Sequence, residues 1–211
     1  MKPFYLSLRR KRRWRRIYDR DRVPTWLEEG PRREVVAARN DGWLPAHASV
    51  IDLGCGLGYT SEWLAGLGHD VLGIDRSQNA LNQARARCDA RPNLEFRRAN
   101  LTRPLRRVTT YDVVLDLLFL HQLPPGEHEG YADNVRRVSA AGTRLLYVQR
   151  LGHPKHKERS TRDEKAAYIS GLLGPRFEIE LVQEAQMQAD RVTDRVWRGV
   201  ELRFKCTGGR T

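Results

Sequence analysis

The residues of this chain that could do chemistry sit where apolar runs end. The first run, Val50-Ile51, ends in Asp52 and passes through Leu53 into Gly54-Cys55-Gly56-Leu57-Gly58. Glycine has no Cβ, so it takes positive φ and lets a ligand lie against the backbone. A helical pattern follows from Tyr59, so N–H groups without intrahelical partners face whatever the loop holds. A second run, Val71-Leu72-Gly73-Ile74, ends in Asp75, with Arg76 beside it. An acid about 20 residues beyond a glycine loop is placed to grip a nucleoside ribose, two acceptor oxygens meeting two hydroxyls. Pairing of Asp75 with Arg76 is the competing reading. A third run, from Tyr111 to Leu120, carries Asp116 and leads to His121. A histidine near neutrality suits proton acceptance from a hydroxyl, thiol or amine; packing in a loop is the alternative for His121. Asp116 either meets a substrate or holds the loop that follows it.

The loop spacing separates two ligand classes. The dinucleotide pattern is G-x-G-x-x-G. Here the third glycine, Gly58, comes one residue early, and Tyr59 stands where that pattern needs glycine. The loop instead fits Asp-x-Gly-x-Gly-x-Gly, and resembles motif I of the class I S-adenosylmethionine-dependent methyltransferases. The likeness extends over about residues 49–150. It includes the strand around Asp116 and Leu117 with its following His121-Gln122-Leu123-Pro124, which resembles motif IV. The resemblance implies a Rossmann-like α/β fold, a mostly parallel seven-stranded sheet with an antiparallel C-terminal strand and helices on both faces. S-adenosylmethionine would be the cofactor and S-adenosylhomocysteine the product. Gly54, Cys55, Gly56 and Gly58 would cradle the methionine half, Asp52 would take its ammonium, and Asp75 with Arg76 would lie at the ribose. Asn100 and Leu101 would meet the adenine; the family commonly has aspartate where Asn100 stands. Asp116, Leu117 and His121 would face the methyl group, Asp116 and His121 as catalytic candidates.

A weaker likeness covers the N-terminal quarter. Trp14, Tyr18, Pro24-Thr25-Trp26 and Gly30-Pro31 resemble small-molecule methyltransferases of the thiopurine and tellurite-resistance type, though Leu27 follows Trp26 where Asp or Asn is usual. That likeness implies substrate contacts from Tyr18, Trp26 and His121, with residues 1–48 as a helical extension or lid and residues 49–211 as the cofactor-binding domain. The expected reaction is in-line displacement of the methyl group by a nucleophile of a small-molecule substrate. Position and desolvation would carry most of it, since orientation alone can supply about 7–11 kcal/mol. The alternatives are an RNA methyltransferase, a non-catalytic donor-binding protein and, most distantly, an NAD-dependent oxidoreductase.

The elements that must position these residues alternate, which argues for a parallel α/β sheet. Strands are expected at Ser49–Leu53, Asp70–Asp75, Leu94–Arg97, Tyr111–Asp116 and Thr143–Arg150, with helices at Tyr59–Leu67, Gln78–Cys88 and Glu127–Val138. Earlier helices cover about Leu8 to Asp19 and a segment from near Pro31 to Asn40. The last third reads as a helix, Thr161–Leu173, then strands Phe177–Gln183 and Gly199–Cys206 paired as an antiparallel hairpin at a sheet edge.

Composition bounds the rest. The chain has 211 residues, 40% hydrophobic, and a formal net charge of +12. No apolar run approaches the roughly 18–20 residues that span a bilayer, and the basic N-terminus lacks the apolar stretch of a secretory signal. Residues 1–49 hold 13 Lys and Arg against 6 Asp and Glu, concentrated in Arg9-Arg10-Lys11-Arg12-Arg13-Trp14-Arg15-Arg16. Such a block can draw phosphates, so nucleic acid is the secondary partner class beside a small molecule. A solvated helix face is the plainer account. The three cysteines, Cys55, Cys88 and Cys206, are far apart and offer neither a disulfide framework nor a metal pattern. His153-Pro-Lys-His156 with Glu158 does not put both histidines on one helix face, so no metal is expected there. A cytoplasmic monomer or homodimer is the expected setting.

Overall fold

The computed structural model describes residues 29–88, 90–151, 161–187 and 197–208. The expected helix over Leu8–Asp19, Tyr18, Trp26 and the His153–Glu158 stretch lie outside them.

Seven strands form one sheet in the order β3-β2-β1-β4-β5-β7-β6. The strands are β1 (Ser49–Leu53), β2 (Asp70–Asp75), β3 (Leu94–Arg98), β4 (Tyr111–Leu117), β5 (Ser139–Arg150), β6 (Phe177–Met187) and β7 (Trp197–Cys206). Strands β1 to β5 pair in parallel. Strand β7 runs antiparallel to both β5 and β6, so the expected C-terminal hairpin closes the edge. The helices are α1 (Arg33–Asn40), α2 (Tyr59–Gly66), α3 (Gln78–Arg87), α4 (His128–Arg137) and α5 (Arg162–Leu173). Two 3₁₀ turns, Leu120–Gln122 and Pro125–Glu127, lie between β4 and α4.

Alternation along the strands puts side chains on opposite faces. Ile51 and Leu53 enter a cluster with Tyr131 and Val135 of α4 and Ile169 and Leu173 of α5. Val50 enters the other cluster with Val35 and Ala38 of α1 and Leu64 and Ala65 of α2. Helix α1 therefore lies N-terminal to the expected boundary at residue 48 but packs into the same core as the sheet. Its C-terminal turn is tied to the antiparallel strands through Asp41, whose carboxylate accepts from Arg203 at 2.6 Å. The helix starts follow local chemistry. The Ser77 side chain accepts from the Ala80 N–H at α3. A reciprocal Thr161–Glu164 capping box starts α5.

Element ends differ from expectation where the sequence pattern is weak. Strand β5 begins four residues earlier than Thr143, because Ser139 still pairs with Tyr111 across an irregularity in register. The Thr143 hydroxyl donates to the Tyr111 carbonyl at 2.7 Å and holds that irregular start. Strand β6 runs on to Met187 because it is hydrogen-bonded along its length to β7.

One buried amide fixes the loop after β3. Asn134 on α4 is fully buried. Its Nδ2 donates to the carbonyls of Leu101 and Arg103, both at 2.8 Å, and its Oδ1 accepts from the Leu105 N–H at 2.8 Å. An Asn134→Ala variant leaves these backbone groups buried without partners. Each such group costs about 1–3 kcal/mol, so urea unfolding is expected to show a loss of about 2–4 kcal/mol. No helix among the described residues is long and apolar enough to cross a membrane.

Candidate functional site

Strands β1 and β4 are neighbours at the centre of the sheet, and their carboxyl ends open where chain order reverses. In open α/β sheets this switch point is where ligands bind. The loop between β1 and α2 occupies it. Gly54, Gly56 and Gly58 have φ of 86°, 56° and 71°, the left-handed region that glycine tolerates. The close approaches exclude side chains as well. A Cβ on Gly58 would lie 2.5 Å from the Phe96 ring, and one on Gly54 would overlap the Phe119 side chain. Strand β2 holds the loop from below, the Ile74 carbonyl accepting from Gly54 N–H at 2.7 Å and Cys55 N–H at 3.0 Å.

Two acids stand at adjacent strand tips. Asp52 is 2% exposed, and Ser61 of α2 donates to its Oδ2 at 2.6 Å. Its Oδ1 accepts no hydrogen bond among the described residues. Burial raises the Asp52 carboxyl to about 6, with the Ser61 hydrogen bond opposing and the nearby Asp75 charge adding. Asp75 is also buried, and burial raises its carboxyl despite backbone hydrogen bonds that favour the charged form. Its Oδ1 accepts from Ser77 N–H at 2.7 Å and its Oδ2 from Gly56 N–H at 3.1 Å. Each oxygen keeps a further lone pair. The Arg76 charge acts on Asp75 but is outweighed by burial. Cys55 is half-buried, and a Cβ on Gly73 would come 3.0 Å from its sulfur. Burial, then the charges of Asp52 and Asp75, push its thiol well above the usual range.

The segment after β3 turns back toward this loop. Asn100 spends its side-chain oxygen locally, accepting from the Thr102 N–H at 3.3 Å and hydroxyl at 3.2 Å. Leu101 is 2% exposed and its side chain is in the core. It therefore offers a ligand only its backbone.

Beyond β4 the chain bends sharply. Leu118 takes φ 73°, unusual for a branched residue, and this turn brings the Phe119 side chain against Gly54. Asp116 organises the bend. Its carboxylate accepts from Phe119 N–H at 2.8 Å, Leu120 N–H at 3.0 Å, Tyr131 hydroxyl at 2.7 Å and the Gln149 amide at 3.1 Å. The residue is fully buried, and burial lifts its carboxyl to about 7 against those four hydrogen bonds. Of the two roles the sequence allows for Asp116, this geometry is that of holding the loop. Leu117 packs into the apolar cluster on the opposite face.

His121 sits in the first 3₁₀ turn, and its N–H donates to Gln149 Oε1 at 3.1 Å. Its Nε2 contacts the Gln122 amide, while its Nδ1 is buried with no hydrogen-bond partner. Burial, then the positive charges of Arg150 and Lys165, lower its imidazole to about 3, so it is neutral at physiological pH. The structure thus brings Asp52, Asp75, the glycine loop and the Phe119–His121 bend to one end of the sheet. Ser61, Tyr131 and Gln149, which hold these groups in place, carry no motif. The one sequence signal among them is Gln149, a polar residue ending the apolar run Leu145-Leu146-Tyr147-Val148.

Residues 50–142 match the family model described as a methyltransferase domain. Over those residues the chain resembles the class I S-adenosylmethionine-dependent methyltransferases. The chain is 26% identical over 127 residues to a 2-heptyl-1-hydroxyquinolin-4(1H)-one methyltransferase of Mycobacteroides abscessus, covering 59% of this chain and 55% of that one. It is 38% identical over 94 residues to a ubiquinone biosynthesis O-methyltransferase of Burkholderia orbicola, covering 41% and 40%. The matched region thus spans about half the length of these relatives. The N-methyltransferase NodS of Bradyrhizobium japonicum, solved with S-adenosylhomocysteine, shares the fold with a TM-score of 0.69 at 16% identity, covering 93% of this chain and 98% of that one.

The methyltransferase domain has the donor set its cofactor needs. A free carboxylate oxygen on Asp52 suits an ammonium, and the spare lone pairs of Asp75 suit vicinal hydroxyls. The left-handed glycine loop lets a ligand reach the backbone. No cluster of three or more metal-binding side chains occurs among the described residues.

Proposed function

We propose that this chain is an enzyme that moves the methyl group of S-adenosylmethionine to a nucleophile of a small molecule. The observation that carries the reading is the pair of buried acids, Asp52 and Asp75, at adjacent strand tips around a glycine loop. When bound, the cofactor supplies a methyl group already activated on a sulfonium sulfur. Asp52 would take the ammonium and Asp75 the ribose hydroxyls, with Gly54, Gly56 and Gly58 leaving room for the ligand. Asn100 and the Leu101 backbone would border the adenine. The Phe119–His121 bend, braced by Asp116 and Gln149, would form the wall facing the acceptor and exclude water there. The two relatives named for acceptors act on small molecules, which supports the substrate class.

Calorimetry with S-adenosylmethionine and S-adenosylhomocysteine tests the reading. Folded wild-type protein is expected to bind both. Asp75→Asn keeps an acceptor for the loop N–H groups but loses the anionic partner of the hydroxyls. Hydrogen bonds to a charged group are worth about 1.5–3 kcal/mol each, so binding is expected to weaken about a hundredfold. Absence of heat with either ligand, or unchanged affinity in Asp75→Asn, contradicts the assignment.

A further inference from the structure

The glycine loop is also held by a residue of α3 that no motif marks. Arg87, the last residue of that helix, makes three contacts with the chain that leads from the loop into α2. Its Nη2 donates to the Leu57 carbonyl at 2.7 Å, its Nε donates to Glu62 Oε2 at 3.0 Å, and its guanidinium lies 3.8 Å from the centre of the Tyr59 ring. The Glu62 pair is part-exposed, and such pairs add little by themselves. The other two contacts fall on the loop and on the first residue of α2. Leu57 is buried, so its carbonyl depends on this donor. The same peptide unit is tied at its other end, where the Gly58 N–H donates to the Cys55 carbonyl at 2.9 Å. Its plane is therefore fixed from both sides, immediately before Gly58 takes φ 71° and α2 begins. Tyr59 stands where the dinucleotide pattern has glycine; here its ring is the plane on which Arg87 rests. Helix α3 is thus fastened to the site at both ends, since the Ser77 N–H at its start donates to Asp75 at 2.7 Å.

We infer that Arg87 is a positioning residue for the methyl donor: it clamps the Leu57–Gly58 peptide and the Tyr59 ring from the α3 side, and so shapes the loop that receives the methionine half of the ligand. This rests on the methyltransferase reading and adds to it a residue outside the loop, 30 positions on from Leu57. A planar fork can bond a carbonyl and a carboxylate while its face covers a ring; a lysine ammonium is a point charge and cannot do all three at once. In that reading the ribose and adenine rest on Asp75, Asn100 and Leu101. None of these is hydrogen-bonded to Arg87 among the described residues. Loss of the clamp is therefore felt by one half of the ligand and not by the other.

The test is calorimetry with two probes, S-adenosylhomocysteine and 5′-methylthioadenosine, which has the same adenosine and sulfur but no amino-acid end. The wild type is expected to bind both. Arg87→Met keeps the stem of the side chain and loses the fork. It should bind S-adenosylhomocysteine about tenfold more weakly, the effect of about one hydrogen bond, and 5′-methylthioadenosine within about twofold of wild type. Arg87→Lys keeps the charge and should show the same split, at about fivefold. Thermal melting without ligand checks that both variants are folded. A loss shared equally by the two probes, or S-adenosylhomocysteine affinity within about twofold of wild type in either folded variant, overturns the inference. Wild-type protein that binds neither probe overturns the cofactor reading itself and the clamp with it.

Discussion

Asp116→Ala is expected to be among the most destabilising single substitutions in this chain. The alanine leaves the Phe119 and Leu120 N–H groups, the Tyr131 hydroxyl and the Gln149 amide without their shared acceptor, all in a site closed to water. Each buried donor left without an acceptor costs about 1–3 kcal/mol, so the four together remove a large part of the roughly 5–15 kcal/mol that holds an ordinary domain together. Urea denaturation should show a lower midpoint. Asp116→Asn retains one acceptor oxygen and should lose clearly less. The damage should also reach the acceptor wall, because Phe119 and His121 ride on the bend that Asp116 anchors. A midpoint for Asp116→Ala within about 1 kcal/mol of wild type would show that the bend is held by packing alone.

The second large effect is a stability that rises as the solution is made mildly acidic. The folded Asp116 and Asp52 carboxyls titrate near 7 and near 6, far above the 3.8 of an exposed aspartate. Through that interval the folded chain binds more protons than the unfolded chain, so unfolding free energy falls as pH rises. Lowering the pH from about 7 to about 5 should add on the order of 3 kcal/mol from these two carboxyls, offset by about 2 kcal/mol because His121, held near 3 in the fold, stays neutral while the unfolded imidazole takes up a proton. The gain stops lower down, where Asp41 and Asp112, whose carboxyls the fold holds below 3.8 by hydrogen bonds, begin to protonate. Binding should run the other way. An ammonium on Asp52 favours its ionised form, so uptake of S-adenosylmethionine should expel a proton and weaken below about pH 6. Titrations in buffers of different ionisation heat measure that proton, and Asp52→Asn should abolish it. A pH-independent melting temperature from 5 to 7 would contradict the origin assigned here to the raised values, which are those near 6 and 7.

The sequence shows some of these features and hides others for physical reasons. Strands β1 and β2 begin and end where expected, because each is an apolar run closed by an acid, and buried parallel strands read as such runs. The hairpin of β6 and β7 is legible from two successive strand patterns. The first residues of β5 are not, since Ala-Ala-Gly has none of the branched or aromatic side chains that mark strands. Within the site, the glycines and acids stand out because their spacing is local. Ser61, Tyr131, Asn134 and Gln149 do not, because their partners lie 9 to 33 residues away and only the folded chain brings them together. The two readings of Asp116 could be separated only by its neighbours, four donors converging on one carboxylate.

The placement of Cys55 bears on how the chain withstands oxidants. Peroxide attacks thiolates, and susceptibility follows thiolate character. Half-buried and within reach of the Asp52 and Asp75 charges, this thiol holds its proton well beyond the ordinary range. The sulfur beside the proposed cofactor loop should therefore react slowly with hydrogen peroxide, sparing the loop from sulfenic-acid damage under stress.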